Sequence, residues 1–277
     1  MDILPATAPP LPRQNRWRHS VTPGSALVWL TLGWRDFRTN AGVSLAYGLL
    51  VYFLSAAIVG GLFFFGLDYI LFPALAGFMV VGPLLAIGLY EKSRRIEAGV
   101  SFSLSDMVFV RPASGAQLLF AGVLLCLLML LWMRAAVIVY ALFFGLRPFP
   151  GLDHIAPMLF ATPVGWAMLL VGGAVGALFA AFSFAISVFS IPMMLDRRVD
   201  ALTAMGSSIA LVWHNLGVML AWGFMVLLLM LVGLLPGLLG LVVAFPVVGH
   251  GAWHAYEAMK LVDVAEETEP ANVESPV

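Results

Sequence analysis

Apolar residues in this chain run together instead of alternating with polar ones. Uncharged stretches cover Val43–Leu67, Tyr69–Tyr90 and Pro112–Met133, and they end at Asp68, at Glu91-Lys92-Ser93-Arg94-Arg95 and at Arg134. A helix needs about 20 apolar residues to cross a bilayer core of roughly 30 Å, so each stretch predicts one span. Ile155–Leu195 is uncharged throughout, too long for one span and too short for two with a turn. It predicts one span over 163–190, with the residues before Pro163 at the outer surface. Ala201–Tyr256 is also uncharged, and Pro236-Gly237 is a turn signal that divides it into spans over 215–234 and 237–256. The pattern thus predicts an all-α polytopic membrane protein with six transmembrane helices, over about 43–67, 69–90, 112–133, 163–190, 215–234 and 237–256.

Shorter periodic segments precede some spans. In Ser25–Thr39 the apolar Leu27, Leu30, Trp34 and Phe37 recur at three- and four-residue spacing, with Arg35, Asp36 and Arg38 between them. This pattern predicts an interfacial amphipathic helix with its Trp at headgroup level. Asp200–His214 is its counterpart, and Ser103–Val110 is a third candidate with Ser103 or Ser105 as cap.

Composition agrees with the pattern and excludes several function classes. The 277 residues are 62% hydrophobic and 10% charged, with a mean hydropathy of +1.00. Soluble domains carry about 25% charged residues, so this chain cannot cover a water-facing surface of its size. The net charge of −1 leaves no basic face for nucleic acid, and the single Cys126 excludes a disulfide scaffold. Residues 1–22 are rich in Pro and Arg and read as a disordered basic tail without the apolar core of a signal peptide. The membrane domain is expected over 23–262. Residues 263–277, with five acidic residues and no Lys or Arg, read as a disordered acidic tail.

Six spans put both termini on one side. That side receives Arg13, Arg16, Arg18, Arg35, Arg38, Lys92, Arg94, Arg95, Arg111, Arg197, Arg198 and Lys260, and the other receives Arg134 and Arg147. Twelve against two places the termini in the cytoplasm by the positive-inside rule.

Sliding the chain along itself without gaps lays Asn40-Ala-Gly-Val-Ser-Leu-Ala-Tyr-Gly48 over Asn215-Leu-Gly-Val-Met-Leu-Ala-Trp-Gly223, with six of nine positions identical. Asn occurs four times in the chain, so the Asn match weighs more than the apolar ones. Phe78–Gly82 resembles Phe245–Gly249, and Tyr90-Glu91 resembles Tyr256-Glu257. These matches predict a parallel internal repeat of helical hairpins, 25–91 and 200–257, related by an axis along the membrane normal. A third copy in spans 3 and 4 rests on Arg197-Arg198 following span 4 as Arg94-Arg95 follows span 2.

Few residues are candidates for chemistry. Asn40 and Asn215 open spans 1 and 5, where Asn favours an N-cap; the sharper reading is a polar ligand at the repeat interface. Arg134 lies about six helical turns beyond Pro112, about 33 Å along the axis, which predicts a side chain snorkelling to the outer interface. His250, His254 and Glu257 share one face of span 6, with His214 at a similar depth on span 5. Imidazoles four residues apart can share a metal ion. The three histidines are therefore the candidate cofactor-binding residues, for haem or a metal, against a plainer reading as interfacial side chains bonded to carbonyls. Glu91 and Glu257 close spans 2 and 6, where ion pairs with the arginines of the interfacial helices compete with a proton-carrying role. No phosphate loop, zinc-protease motif or nucleophile elbow occurs, and no catalytic residue is assigned.

The runs Gly33-Trp34-Arg35-Asp36-Phe37-Arg38, Ser44–Leu50, Val81–Glu91 and Gly249–Tyr256 resemble an uncharacterised bacterial family of integral membrane proteins, catalogued as domain of unknown function 2189. The resemblance implies a bacterial membrane protein and no particular reaction. Family members are sometimes labelled cytochrome c oxidase subunit-like, but the catalytic oxidase subunit has more spans and more buried histidines than this chain offers. Two functions follow as expectations. One is a non-enzymatic inner-membrane module, transporter-like or partner-binding, whose partners are the lipid bilayer and a membrane protein or second copy. The other is a haem- or metal-associated respiratory accessory protein.

Overall fold

The structure, a computed structural model, describes residues 16–145 and 151–260. Residues 1–15, Arg147 and the acidic tail lie outside the described residues. Twelve α-helices follow one another and no strand occurs among the described residues: α1 Ser25–Arg38, α2 Ala41–Phe64, α3 Leu71–Leu85, α4 Ile87–Glu97, α5 Leu104–Val108, α6 Gly115–Phe144, α7 Leu152–Phe160, α8 Pro163–Ser187, α9 Ser190–Asp196, α10 Ala201–His214, α11 Leu216–Leu234 and α12 Leu241–Met259. Five segments are long and apolar enough to cross a membrane: Ala41–Phe64, Asp68–Glu97, Gly115–Phe144, Pro163–Asp196 and Leu216–Leu234. The sixth expected span corresponds to α12, which has the length but carries His250, His254 and Glu257 in its second half.

Three boundaries differ from the sequence expectation. The third apolar helix does not stop at Arg134 but continues to Phe144, because one Arg ends an uncharged run without opposing the helix. Gly145, at φ 68°, ends it. The second and fourth segments are each two helices in series. α3 contains Pro83 and gives way to α4 at Ala86, and α8 gives way to α9 at Val188-Phe189, just before Pro192. Broken helices free backbone groups that a membrane protein must satisfy internally. Tyr47 on α2 donates to the Leu85 carbonyl at 2.8 Å. Ser208 on α10 donates to the Ala185 carbonyl and accepts from the Phe189 N–H. The turn expected at Pro236-Gly237 is present, with Gly237 and Leu238 both at positive φ.

The core lies where α4, α9 and the second half of α12 meet. Leu89, Tyr90, Phe189, Ile191, Met194, Leu195, Trp253 and Tyr256 are all buried there, and the Tyr256 hydroxyl donates to Asp196 at 2.8 Å. Away from it, α2, α6 and α8 expose Phe53, Leu119, Leu142, Leu170 and Leu178, as lipid-facing helices do. The helix α1 buries against the protein a face offset from its apolar stripe. Ala26, Trp29, Gly33 and Asp36 point inward with Phe37, while Leu27 and Trp34 are exposed. The cause is contact with α12: a Cβ at Gly33 would strike the backbone of Val247 and Gly251. Likewise a Cβ at Gly48 on α2 would strike the Val242 carbonyl. Small residues let these backbones approach, which is how membrane helices gain packing energy. At α5 the expected Ser103 cap is present, as a reciprocal capping box with Asp106.

Candidate functional site

Four helices bring ionisable and hydroxyl side chains together beside this core. Asp36 comes from α1, Ser44 from α2, Lys92, Ser93 and Glu97 from α4, and His250 and His254 from α12. Asp36, Ser44, Lys92, Ser93 and His250 are fully buried, and His254 nearly so. The i, i+4 spacing of the histidines puts them on one face, as the sequence implied, but each has its own surroundings.

His250 sits between two serines. Its Nε2 is 3.1 Å from Ser44 Oγ, and its Nδ1 is 2.9 Å from Ser93 Oγ and 3.1 Å from the Leu89 carbonyl. Lys92 Nζ donates to Ser44 Oγ at 2.6 Å and to the Asn40 carbonyl at 3.4 Å, and lies over the Phe102 ring at 5.0 Å. These contacts fix the direction of the hydrogen bonds. Ser44 accepts from the ammonium, so its own hydrogen points to Nε2. A neutral imidazole protonated on Nδ1 then donates toward Leu89 and Ser93, and every group is satisfied.

His254 bridges two carboxylates. Its Nε2 is 2.8 Å from Asp36 Oδ2 and its Nδ1 is 3.4 Å from Glu97 Oε1, while Trp253 Nε1 donates to Glu97 Oε2 at 2.9 Å. Asp36 Oδ1 has no hydrogen-bond partner among the described residues. Burial works to raise the Asp36 pKa, but the hydrogen bond and charge of His254, helped by Ser93, outweigh it and hold the carboxyl below its usual 3.8. The whole arrangement is a string of ionisable and hydroxyl groups in polar contact, from Glu97 through His254 to Asp36, and from Ser93 through His250 and Ser44 to Lys92.

The other sequence candidates fall elsewhere. His214 is exposed and its Nδ1 meets the Ala210 carbonyl at 2.8 Å, so the third histidine does not join the pair. Among the described residues no group of three or more His, Cys, Asp or Glu could hold a metal ion. With both nitrogens of His250 and of His254 engaged by protein partners, the geometry lends the haem and metal reading no support. Asn40 and Asn215 both stand at a junction between a 14-residue helix and a longer one, but neither side chain caps. Asn40 has φ 54°, a conformation Asn tolerates, and presents its carbonyl to Lys92. Asn215 is buried; its Nδ2 donates to the Trp17 and Leu211 carbonyls and its Oδ1 accepts from the His19 N–H. It thereby holds part of the segment read as a free tail. Glu91 pairs with Arg94 at 2.6 Å and Arg95 at 2.7 Å on its own helix, not with α1, and Glu257 pairs with Lys260 at 2.7 Å. Arg134 is exposed, well short of the end of α6 at Phe144.

Asp36, Ser44, Lys92, Ser93 and Glu97 were not singled out from sequence. Asp36 and Lys92 sit in charged runs beside Arg35, Arg38, Arg94 and Arg95, and such runs usually face water. One signal was available: Ala26, Trp29, Gly33 and Asp36 follow a 3-4-3 spacing, so Asp36 continues a stripe of small and aromatic residues.

Neither the curated proteins nor the solved structures contain a match to the chain. Residues 71–196, from the start of α3 to the end of α9, match the family described as "Predicted integral membrane protein (DUF2189)". That stretch takes in the Val81–Glu91 motif and the fully buried Lys92, and through it the chain is a multi-pass integral membrane protein resembling that family of unknown function.

Proposed function

We propose that the chain is a non-enzymatic, transporter-like module of the bacterial inner membrane in which the buried string of groups around Lys92 and the two histidines exchanges protons. The observation that carries this reading is a fully buried Lys92, Asp36 and His250 where four helices meet. Ionisable groups inside a membrane bundle are expensive, and where they persist they mark ion pathways and proton relays.

The reading takes α12 as a sixth span, about 28 Å long at 19 residues. Its polar half is covered by α1, α2 and α4, which removes the cost of placing histidines against lipid. Both termini are then cytoplasmic, as the Lys and Arg count favours. A three-fold pattern supports the same layout: α1, α2 and α3–α4; α5, α6 and α8–α9, with the short α7 inserted between α6 and α8; α10, α11 and α12 each run as a short helix and then two longer ones. The second long helix of each set contributes the half that meets its counterparts in the core. The different backbones of Asn40 and Asn215 mark where the proposed repeats have diverged.

The test is proton flux into liposomes carrying the purified protein and a trapped pH-sensitive dye, under an imposed potential. Flux above that of empty liposomes is expected, with a loss of tenfold or more in Lys92→Met and His254→Phe. Flux equal to that of empty liposomes overturns the proposal.

A further inference from the structure

A cavity of about 320 Å³ lies among α3, α4, α6, α8, α11 and α12, and no residue of the polar string lines it. Its walls are almost wholly apolar, with Phe78, Phe245 and Trp222 on one side and Trp132 and Phe179 on another. On α8 the lining runs from Gly172 to Ser187, which at 1.5 Å per residue is about 22 Å of helix. A volume at the lower end of the usual range for ligand pockets, lined by apolar side chains over that length, suits one hydrocarbon chain.

One polar group in the wall lacks a partner. Ser183 is 3% exposed, and its Oγ makes no hydrogen bond among the described residues. Its neighbours behave otherwise: Ser187 donates to the Ser183 carbonyl at 2.7 Å, and Ser190 donates to the Ile186 carbonyl. A buried hydroxyl left unpaired is costly, so a donor kept free in a cavity wall points to an acceptor that enters the cavity.

We infer that the cavity binds one hydrocarbon chain of a lipid, the chain lying along the apolar lining and an oxygen acceptor hydrogen-bonded to the Ser183 hydroxyl. The shared chemistry is one apolar chain ending in an oxygen acceptor, whether a free fatty acid or one acyl arm of a phospholipid. The inference is independent of proton exchange, because none of its residues belongs to the polar string.

Two variants separate the elements of the site. Gly82 lines the cavity, and a Cβ there meets nothing within 4 Å, so Gly82→Leu projects into the cavity without striking a neighbour at its first carbon. Ser183→Ala removes the donor and leaves the shape. Detergent-purified protein, with Trp132 and Trp222 as the only tryptophans retained, is titrated with a brominated fatty acid and separately with a brominated phospholipid. Saturable quenching is expected with at least one probe, and the probe that saturates identifies the source. Ser183→Ala should weaken that binding about fivefold, the worth of one hydrogen bond, and Gly82→Leu should abolish saturation. Unsaturable quenching with both probes, or saturation unchanged in both variants, overturns the inference. If the reduced-tryptophan protein does not fold, the lipid extracted from the full chain decides. About one fatty acid or phospholipid per protein, lost in Gly82→Leu, supports the site, and its absence from the full chain refutes it.

Discussion

Helices α11 and α12 have the same length, 19 residues, and stand next to each other in the chain, yet they occupy opposite environments. α11 is apolar throughout, buries five residues and exposes Leu220 and Phe224. α12 buries thirteen residues, including both histidines, and is too polar to register as a membrane span by composition. In water the most apolar helix is the most buried. In lipid the solvent itself is apolar, so extreme hydrophobicity marks the outer helices and a decline in it marks the centre. The contrast between these helices shows why the candidate site lies on the less hydrophobic member of the pair.

The largest effect expected from breaking this contrast is at the close contacts of α12. Gly48→Val forces a side chain onto the Val242 carbonyl, and a backbone cannot turn aside as a side chain can. Loss of folded, monodisperse protein is expected in detergent chromatography, beyond the roughly 1–3 kcal/mol of ordinary overpacking. Gly82→Leu, with open space around it, should leave the elution profile intact.

Next comes the ion pair. Asp36→Ala strands His254 in a buried site, and removing one partner of such a pair costs about 3–5 kcal/mol. A marked drop in thermal midpoint is expected at neutral pH. Asp36 has a lowered pKa in the fold, so its stabilisation is fully present above the unfolded value near 3.8 and is lost as pH falls through the folded value. The stability gap between the natural chain and Asp36→Asn should therefore hold steady from about pH 5 upward and narrow below about pH 4. A gap that widens on acidification would contradict the assigned role of His254 as the group stabilising the carboxylate.

Smaller losses belong to the serines. Ser44→Ala removes the acceptor of Lys92 and the partner of His250 together, at a cost of about 1–3 kcal/mol in chemical denaturation. On α11, Leu220→Ala should change stability by no more than about 0.5 kcal/mol, because that side chain exchanges one apolar contact for another. If Leu220→Ala proves as damaging as Ser44→Ala, α11 has a protein partner on its outer face.

Much of the architecture was legible before any tertiary contact was known. Uncharged runs long enough to span a bilayer located five crossing segments, Pro236-Gly237 located the turn between α11 and α12, and Ser103 announced its cap. The i, i+4 histidines were legible too, as a pair on one helix face. Their partners were not. Charge in a short run reads as exposure, so Lys92 looked like its neighbours Arg94 and Arg95, although it turns inward while they pair with Glu91 at the rim. Arg134 misled in the opposite direction, because a charge that ends a hydropathy window does not end a helix.

Local sequence determined what depends on solvent and backbone alone: which segments belong in lipid, where helices begin, and where Pro and Gly interrupt them. Those preferences act within a turn or two of the chain, so they are written in consecutive residues. Tertiary structure alone decided which face of α1 is buried, since that follows from Gly33 meeting the backbone of α12, the last helix of the chain. It also decided that His250 lies between Ser44 and Ser93 while His214 lies outside, and that Ser183 faces a cavity without a partner among the described residues. A hydrogen bond requires two groups within about 3 Å, and no pattern along one segment specifies what a distant segment brings to that distance.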